Sequence, residues 1–203
     1  MPSGERSTPQ SHMVLVRHGP TEWSRTGRHT GHSDIPLEDD GRVLAVAVGR
    51  AIAQLGLPIA AVLTSPLVRA TETCRLAGFA QAAVVTDDLA EWDYGDYDGL
   101  TTAEIRRARP GWSLWRDGVP GGETLDEVGR RADRVIAGAR AVAGTTVCFA
   151  HGHILRVLGA RWVGLPPAGG ALLGLSPAQL CQLGWERDEP VIWSWNERNR
   201  PPS

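Results

Sequence analysis

Arg17, His18 and Gly19 follow directly on the apolar, β-branched run Val14-Leu15-Val16. A run of this length reads as a buried strand, and Gly19 with Pro20 ends it. A cation and an imidazole therefore stand side by side at a strand's carboxyl end, where open α/β sheets place ligand sites. Three other segments add chemistry. Thr64-Ser65-Pro66-Leu67-Val68-Arg69 closes a second apolar run and enters a helix with an arginine one turn in, on the end whose free amides favour anions. Val147-Cys148-Phe149-Ala150-His151-Gly152-His153 is another strand that runs into His-Gly, and Leu89-Ala90-Glu91-Trp92-Asp93 supplies acids. Phosphomonoester hydrolysis needs a nucleophile, a clamp on the phosphate oxygens and a proton for the departing alkoxide. An uncharged His18 imidazole can attack phosphorus and leave a phosphohistidine for water to hydrolyse, and neighbouring arginines disfavour the imidazolium. Arg17, Arg69 and His151 are the candidate clamp. Singly, Arg69 reads as a surface helix charge and His151 as a hydrogen-bonded loop histidine; it is the set that points to a site.

Composition narrows the alternatives. The 21 basic residues are all arginine, so neither Schiff-base lysine chemistry nor a Walker-type phosphate loop is available. Arginine must bind any phosphate, and its planar fork suits that task. A net charge of -2 provides no broad basic field, which argues against nucleic acid or an anionic membrane as main partner. Three widely spaced cysteines give neither a disulfide framework nor a zinc knuckle and read as buried thiols. No ordered ligand set for a metal appears: His29 and His32 lie in a loop without the carboxylates a catalytic zinc usually has. The polar opening residues lack the apolar stretch of a signal peptide. The expectation is a cytoplasmic protein with a disordered tail at 1–12, one domain over 13–197 and a C-terminal tail at 198–203.

The elements that must position these residues alternate. Strands are expected at Val14–Val16, Ile59–Thr64, Ala82–Thr86 and Thr145–Ala150. Helices are expected at 42–55, from Pro66 with Ser65 as cap to Leu76, near Thr101–Arg109, at Glu123–Val142 and at His153–Val163. Gln179–Trp185 and Val191–Trp195 read as an antiparallel hairpin at the sheet edge. This predicts a three-layer α/β/α fold, a mostly parallel sheet with an antiparallel edge. The loosely patterned 91–122 region reads as a lid or binding surface, with Trp112, Trp115 and Arg116 as a candidate roof.

The ordered set Arg17-His18-Gly19, Ser65-Pro66-x-x-Arg69, Glu91 and His151-Gly152, spread over Val14 to Trp195, resembles the histidine phosphatase (phosphoglycerate mutase-like) superfamily. The run Glu91 to Leu100 is most similar to the branch of actinobacterial acid phosphatases and sedoheptulose-bisphosphatase-like enzymes. The resemblance implies the phosphoglycerate mutase-like fold, a phosphatase with no cofactor or metal, and a small phosphate ester as partner. It implies His18 as nucleophile, Glu91 as general acid with Asp93 as internal rival, and Arg17, Arg69 and His151 at the phosphate. Ser24 stands where many relatives carry an asparagine after the tryptophan, and Thr30-Gly31 matches the loop that often touches phosphate in the mutases; these three join the phosphate-binding candidates. His153, where mutases usually carry asparagine, and the short 92–122 region lean away from a mutase. Phosphoglycerate mutase and a catalytically idle interaction domain remain rivals. The physiological ester and the oligomeric state, a homodimer included, are not legible.

Overall fold

The computed structural model describes residues 11–198. A six-stranded sheet has the order β3-β2-β4-β1-β5-β6. β1 (Ser11–Arg17), β2 (Ile59–Thr64), β3 (Ala83–Val85) and β4 (Gly144–Ala150) run parallel, and the hairpin of β5 (Leu180–Glu186) and β6 (Glu189–Glu197) adds the antiparallel edge. β1 and β4 lie in the middle, so both faces of their apolar runs are covered. Met13 and Leu15 enter one core with α6 (Leu125–Arg140) and α7 (Gly152–Trp162). Val14 and Val16 enter a second core with α2 (Asp39–Gln54) and α3 (Val68–Leu76). The alternation of β1 side chains across the sheet thus assigns helices to both faces, as expected. Register brings the chemistry together: Arg17 pairs with Ala150, and Thr64 with Phe149, so His18, Ser65 and His151 emerge at one edge. No described helix is long and apolar enough to cross a membrane.

Boundaries differ from the sequence reading where long-range contacts intervene. β1 begins at Ser11, so Ser11 and His12 belong to the sheet and not to a tail; residues 1–10 and 199–203 lie outside the described residues. α2 starts at Asp39, three residues earlier than expected. α3 starts at Val68 instead of Pro66, and Ser65 is not its cap. Asp34, reaching across from the loop after β1, accepts the Val68 amide at 2.8 Å, while the Ser65 hydroxyl is engaged by His151. α7 starts at Gly152, one residue earlier than expected. Two short helices were not anticipated, α1 (Glu22–Thr26) and α5 (Leu114–Asp117), whereas α4 (Thr102–Ala108) was. α1, α4 and α6 each carry a capping box, at Thr21/Ser24, Thr101/Glu104 and Thr124/Glu127.

Candidate active site

His18 sits at the mouth of β1 and is nearly inaccessible. The tightness of its loop depends on Gly19, where a Cβ would stand 2.6 Å from the Gly41 carbonyl of α2's first turn. The His18 Nδ1 lies 2.7 Å from the Gly19 carbonyl oxygen. A carbonyl only accepts, so Nδ1 carries the proton and the lone pair is left on Nε2. Burial, then the Arg17 and Arg69 guanidinium groups, hold the imidazole well below the ordinary histidine range. Arg17 is held by Nη1 donating to Leu175 O, while its buried Nε has no protein acceptor. These two residues line a cavity of about 160 Å³ together with Ser24, Gly27, Arg28, His29, Thr30, Glu91, Tyr94 and His153.

Arg69 and His151 form the layer behind. Arg69 is fully buried: Nε donates to His151 Nδ1 at 3.0 Å, Nη1 to Ser33 O, and Nη2 to Thr30 O and Gly31 O. Because Arg69 can only donate, His151 carries its proton on Nε2, 2.7 Å from Ser65 Oγ. Both His151 nitrogens therefore have protein partners, and its ring lies 5.2 Å from that of His18. Burial, then Arg69, keeps it neutral.

Glu91 faces the cavity with both oxygens engaged. Oε1 accepts from the Trp92 and Ile154 amides at 2.9 and 3.0 Å, and Oε2 from the His153 amide at 3.0 Å. The last two amides belong to the first turn of α7, so the carboxyl group caps that helix from another element. Asp93 turns away: Oδ1 accepts the Gly95 amide and Oδ2 lies 3.6 Å from His32, on a neighbouring groove.

Of the weaker candidates, Ser24 and Thr30 line the cavity, but Ser24 Oγ already donates to Thr21 O and accepts from Thr21 N in the α1 capping box. The Gly31 amide is taken by Asp98 Oδ1 at 2.7 Å. Asp98 also accepts from Ser33 N and Oγ and so pins the loop that Arg69 grips from the other side. His29 and His32 point apart, the former against Tyr94 and Trp112, the latter toward Asp93. Trp112 and Trp115 back His29 and His153, whereas Arg116 is exposed and pairs with Asp117.

Sequence reasoning did not assign Arg28, His29, Tyr94 and His153 to the cavity wall. Tyr94 hydrogen-bonds to His153 Nδ1 at 2.5 Å. Burial pushes the Tyr94 hydroxyl well up and the His153 ring well down, so both stay uncharged. The available signal was position: Tyr94 is three residues beyond Glu91, and His153 two beyond His151.

Comparison with known proteins places the chain in a family. The profile of the histidine phosphatase superfamily (branch 1) matches residues 13–198. An acid phosphatase of Mycobacterium tuberculosis is 42% identical over 176 residues, covering 86% of this chain and 86% of that protein. The sedoheptulose 1,7-bisphosphatase of Saccharomyces cerevisiae is 38% identical over 182 residues, covering 75% of this chain and 67% of that protein. A solved structure of an open reading frame from Mycobacterium tuberculosis superposes with a TM-score of 0.89 at 36% identity, covering 94% of this chain and 99% of that one. With a matching family profile over residues 13–198 and a relative 42% identical over most of both chains, the chain belongs to the histidine phosphatase superfamily, branch 1.

Proposed function

We propose that this protein is a metal-independent phosphomonoesterase that hydrolyses small, carbohydrate-derived phosphate esters through a phosphohistidine on His18. The observation that carries the reading is the His18 tautomer: a buried, uncharged ring whose Nδ1 proton is fixed by Gly19 O, leaving Nε2 as nucleophile in a cavity shared with Arg17. In the first step Nε2 forms the bond to phosphorus as the bond to the leaving oxygen breaks. Arg17, whose Nε lacks a protein acceptor, takes the phosphoryl oxygens. Arg69 adds charge from behind and, through His151, holds the back of the site. Glu91 supplies the proton to the leaving oxygen from a carboxyl group whose Oε2 accepts one backbone amide, that of His153. In the second step Glu91 takes a proton from water, which displaces the phosphoryl group from nitrogen.

The hydroxyl and imidazole groups of Tyr94, His29 and His153 on the rest of the wall support a polyhydroxylated leaving group. The names of two relatives, an acid phosphatase and a sedoheptulose 1,7-bisphosphatase, support the same class. Three buried, unpaired cysteines, two of them pushed up to about 12 by burial, support a reducing, cytoplasmic setting.

The test is phosphate release from a panel of sugar phosphates by the wild type and His18→Ala, each with and without EDTA. The wild type should turn over unchanged in EDTA and yield an acid-labile phosphoryl-enzyme on quenching, and His18→Ala should lose at least about a thousandfold of the rate. A variant rate near wild type would remove His18 as nucleophile, and loss in EDTA restored by Mg²⁺ or Zn²⁺ would overturn metal independence. Isomerised product without free phosphate would mark a mutase.

A further inference from the structure

We infer that Arg131 and Glu123 form a clamp whose task is to position Glu91, an assignment that rests on Glu91 being the proton donor. Arg131 is on the second turn of α6 and Glu123 just precedes that helix. The pair is bidentate: Arg131 Nε donates to Glu123 Oε1 and Nη2 to Oε2, each at 2.7 Å, and both side chains are largely buried. The remaining donors of the same guanidinium point at the backbone that carries the acid. Nη1 reaches Asp88 O at 3.0 Å and Ala90 O at 2.9 Å, and Nη2 reaches Glu91 O at 3.4 Å. Glu123 closes the other side. Its Oε2 accepts the Asp93 amide at 3.1 Å, its carbonyl accepts Trp92 Nε1 at 2.8 Å, and its own amide donates to Asp93 O at 3.0 Å.

Residues 88, 90, 91, 92 and 93 are therefore all held by one ion pair, with Glu91 in the middle. Because the pair is internally neutral, what it contributes at Glu91 is chiefly geometry. Only a planar fork serves two carboxylate oxygens and three carbonyls at once; a lysine keeps the charge and loses that arrangement. Misplacement of a catalytic group by about 1 Å costs on the order of a hundredfold in rate. Neither residue lines the cavity around His18, so neither touches the reacting phosphorus.

The test compares Arg131→Lys, Glu123→Gln and Glu91→Gln on a sugar phosphate and on p-nitrophenyl phosphate, whose leaving group departs without a proton. Inhibition by inorganic phosphate and the thermal midpoint are measured alongside. We expect Arg131→Lys to slow kcat for the sugar phosphate about ten- to a hundredfold more than for p-nitrophenyl phosphate, with the inhibition constant for phosphate within about twofold. Glu123→Gln, which preserves shape and one acceptor, should do the same more weakly, and it carries the test alone if Arg131→Lys does not fold. In a Glu91→Gln background Arg131→Lys should add no further selectivity. Equal slowing of both substrates by Arg131→Lys, while Glu91→Gln remains selective, would overturn the clamp and leave the acid in place. If Glu91→Gln itself slows both equally, the acid assignment fails and the clamp with it.

Discussion

At the scale of single residues, the site is defined by which proton is held where. His18 is a base whose proton affinity is lowered by burial and then by Arg17 and Arg69. The ring of the free protein should therefore stay neutral, protonated at Nδ1, as pH falls from 7.5 to about 6, where an ordinary histidine at about 6.5 would be mostly charged. Nitrogen-15 spectra of histidine-labelled protein check this, and a His18 ring titrating at 6.5 or above would overturn it. Much of this scale was legible. Strand-end arginine and histidine announce themselves because the strand, the breaker and the polar pair are contiguous in Val14–Pro20. What could not be read is how side chains are paired. Nothing in the sequence says that Arg69 and Ser65 occupy both nitrogens of His151, that Asp98 takes the Gly31 amide, or that Glu91 and not Asp93 faces the cavity.

At the scale of elements, the order of strands and helices was legible, because buried parallel strands are continuous apolar runs and α6 is strongly two-faced. Helix starts were less so. α6 starts two residues later than expected, behind its own Thr124/Glu127 box, while α3 is capped by Asp34, 34 residues upstream, and α7 by Glu91, 63 residues upstream. The start of α7 also carries a steric condition. A Cβ at Gly152 would lie 3.3 Å from Arg17 Cζ and Nε, and Arg17 is half-buried and tied to Leu175 O. Gly152→Ala should therefore displace the guanidinium by a few tenths of an ångström and lower kcat/KM about tenfold. Folding stability should be nearly unaffected, since alanine favours the helix by up to about 1 kcal/mol. Steady-state kinetics beside a urea titration check this; wild-type kcat/KM would show that Arg17 has room to yield.

At the scale of the whole molecule, three imidazoles, two buried and one half-buried, couple stability to pH. His18, His151 and His153 are all held well below the ordinary range, burial being the first cause in each. Below about pH 6.5 the unfolded chain binds protons on these rings that the folded chain refuses, so stability falls as pH drops toward the lowered folded values. With all three contributing, the slope reaches about 4 kcal/mol per pH unit. The urea midpoint should fall clearly from pH 7 to pH 5, and an unchanged midpoint would count against three neutral rings. The strand order carries a different consequence, one of timing. β1 precedes every other described element, yet its two neighbours in the sheet are β4, beginning at Gly144, and β5, beginning at Leu180. During synthesis, roughly ten to thirty seconds separate the emergence of β1 from that of its last partner. Throughout that interval Met13 to Val16 are a bare apolar edge, the kind of segment that recruits a second chain if nothing shields it. The central strand of the finished enzyme is thus the nascent chain's longest-standing exposure to a chaperone.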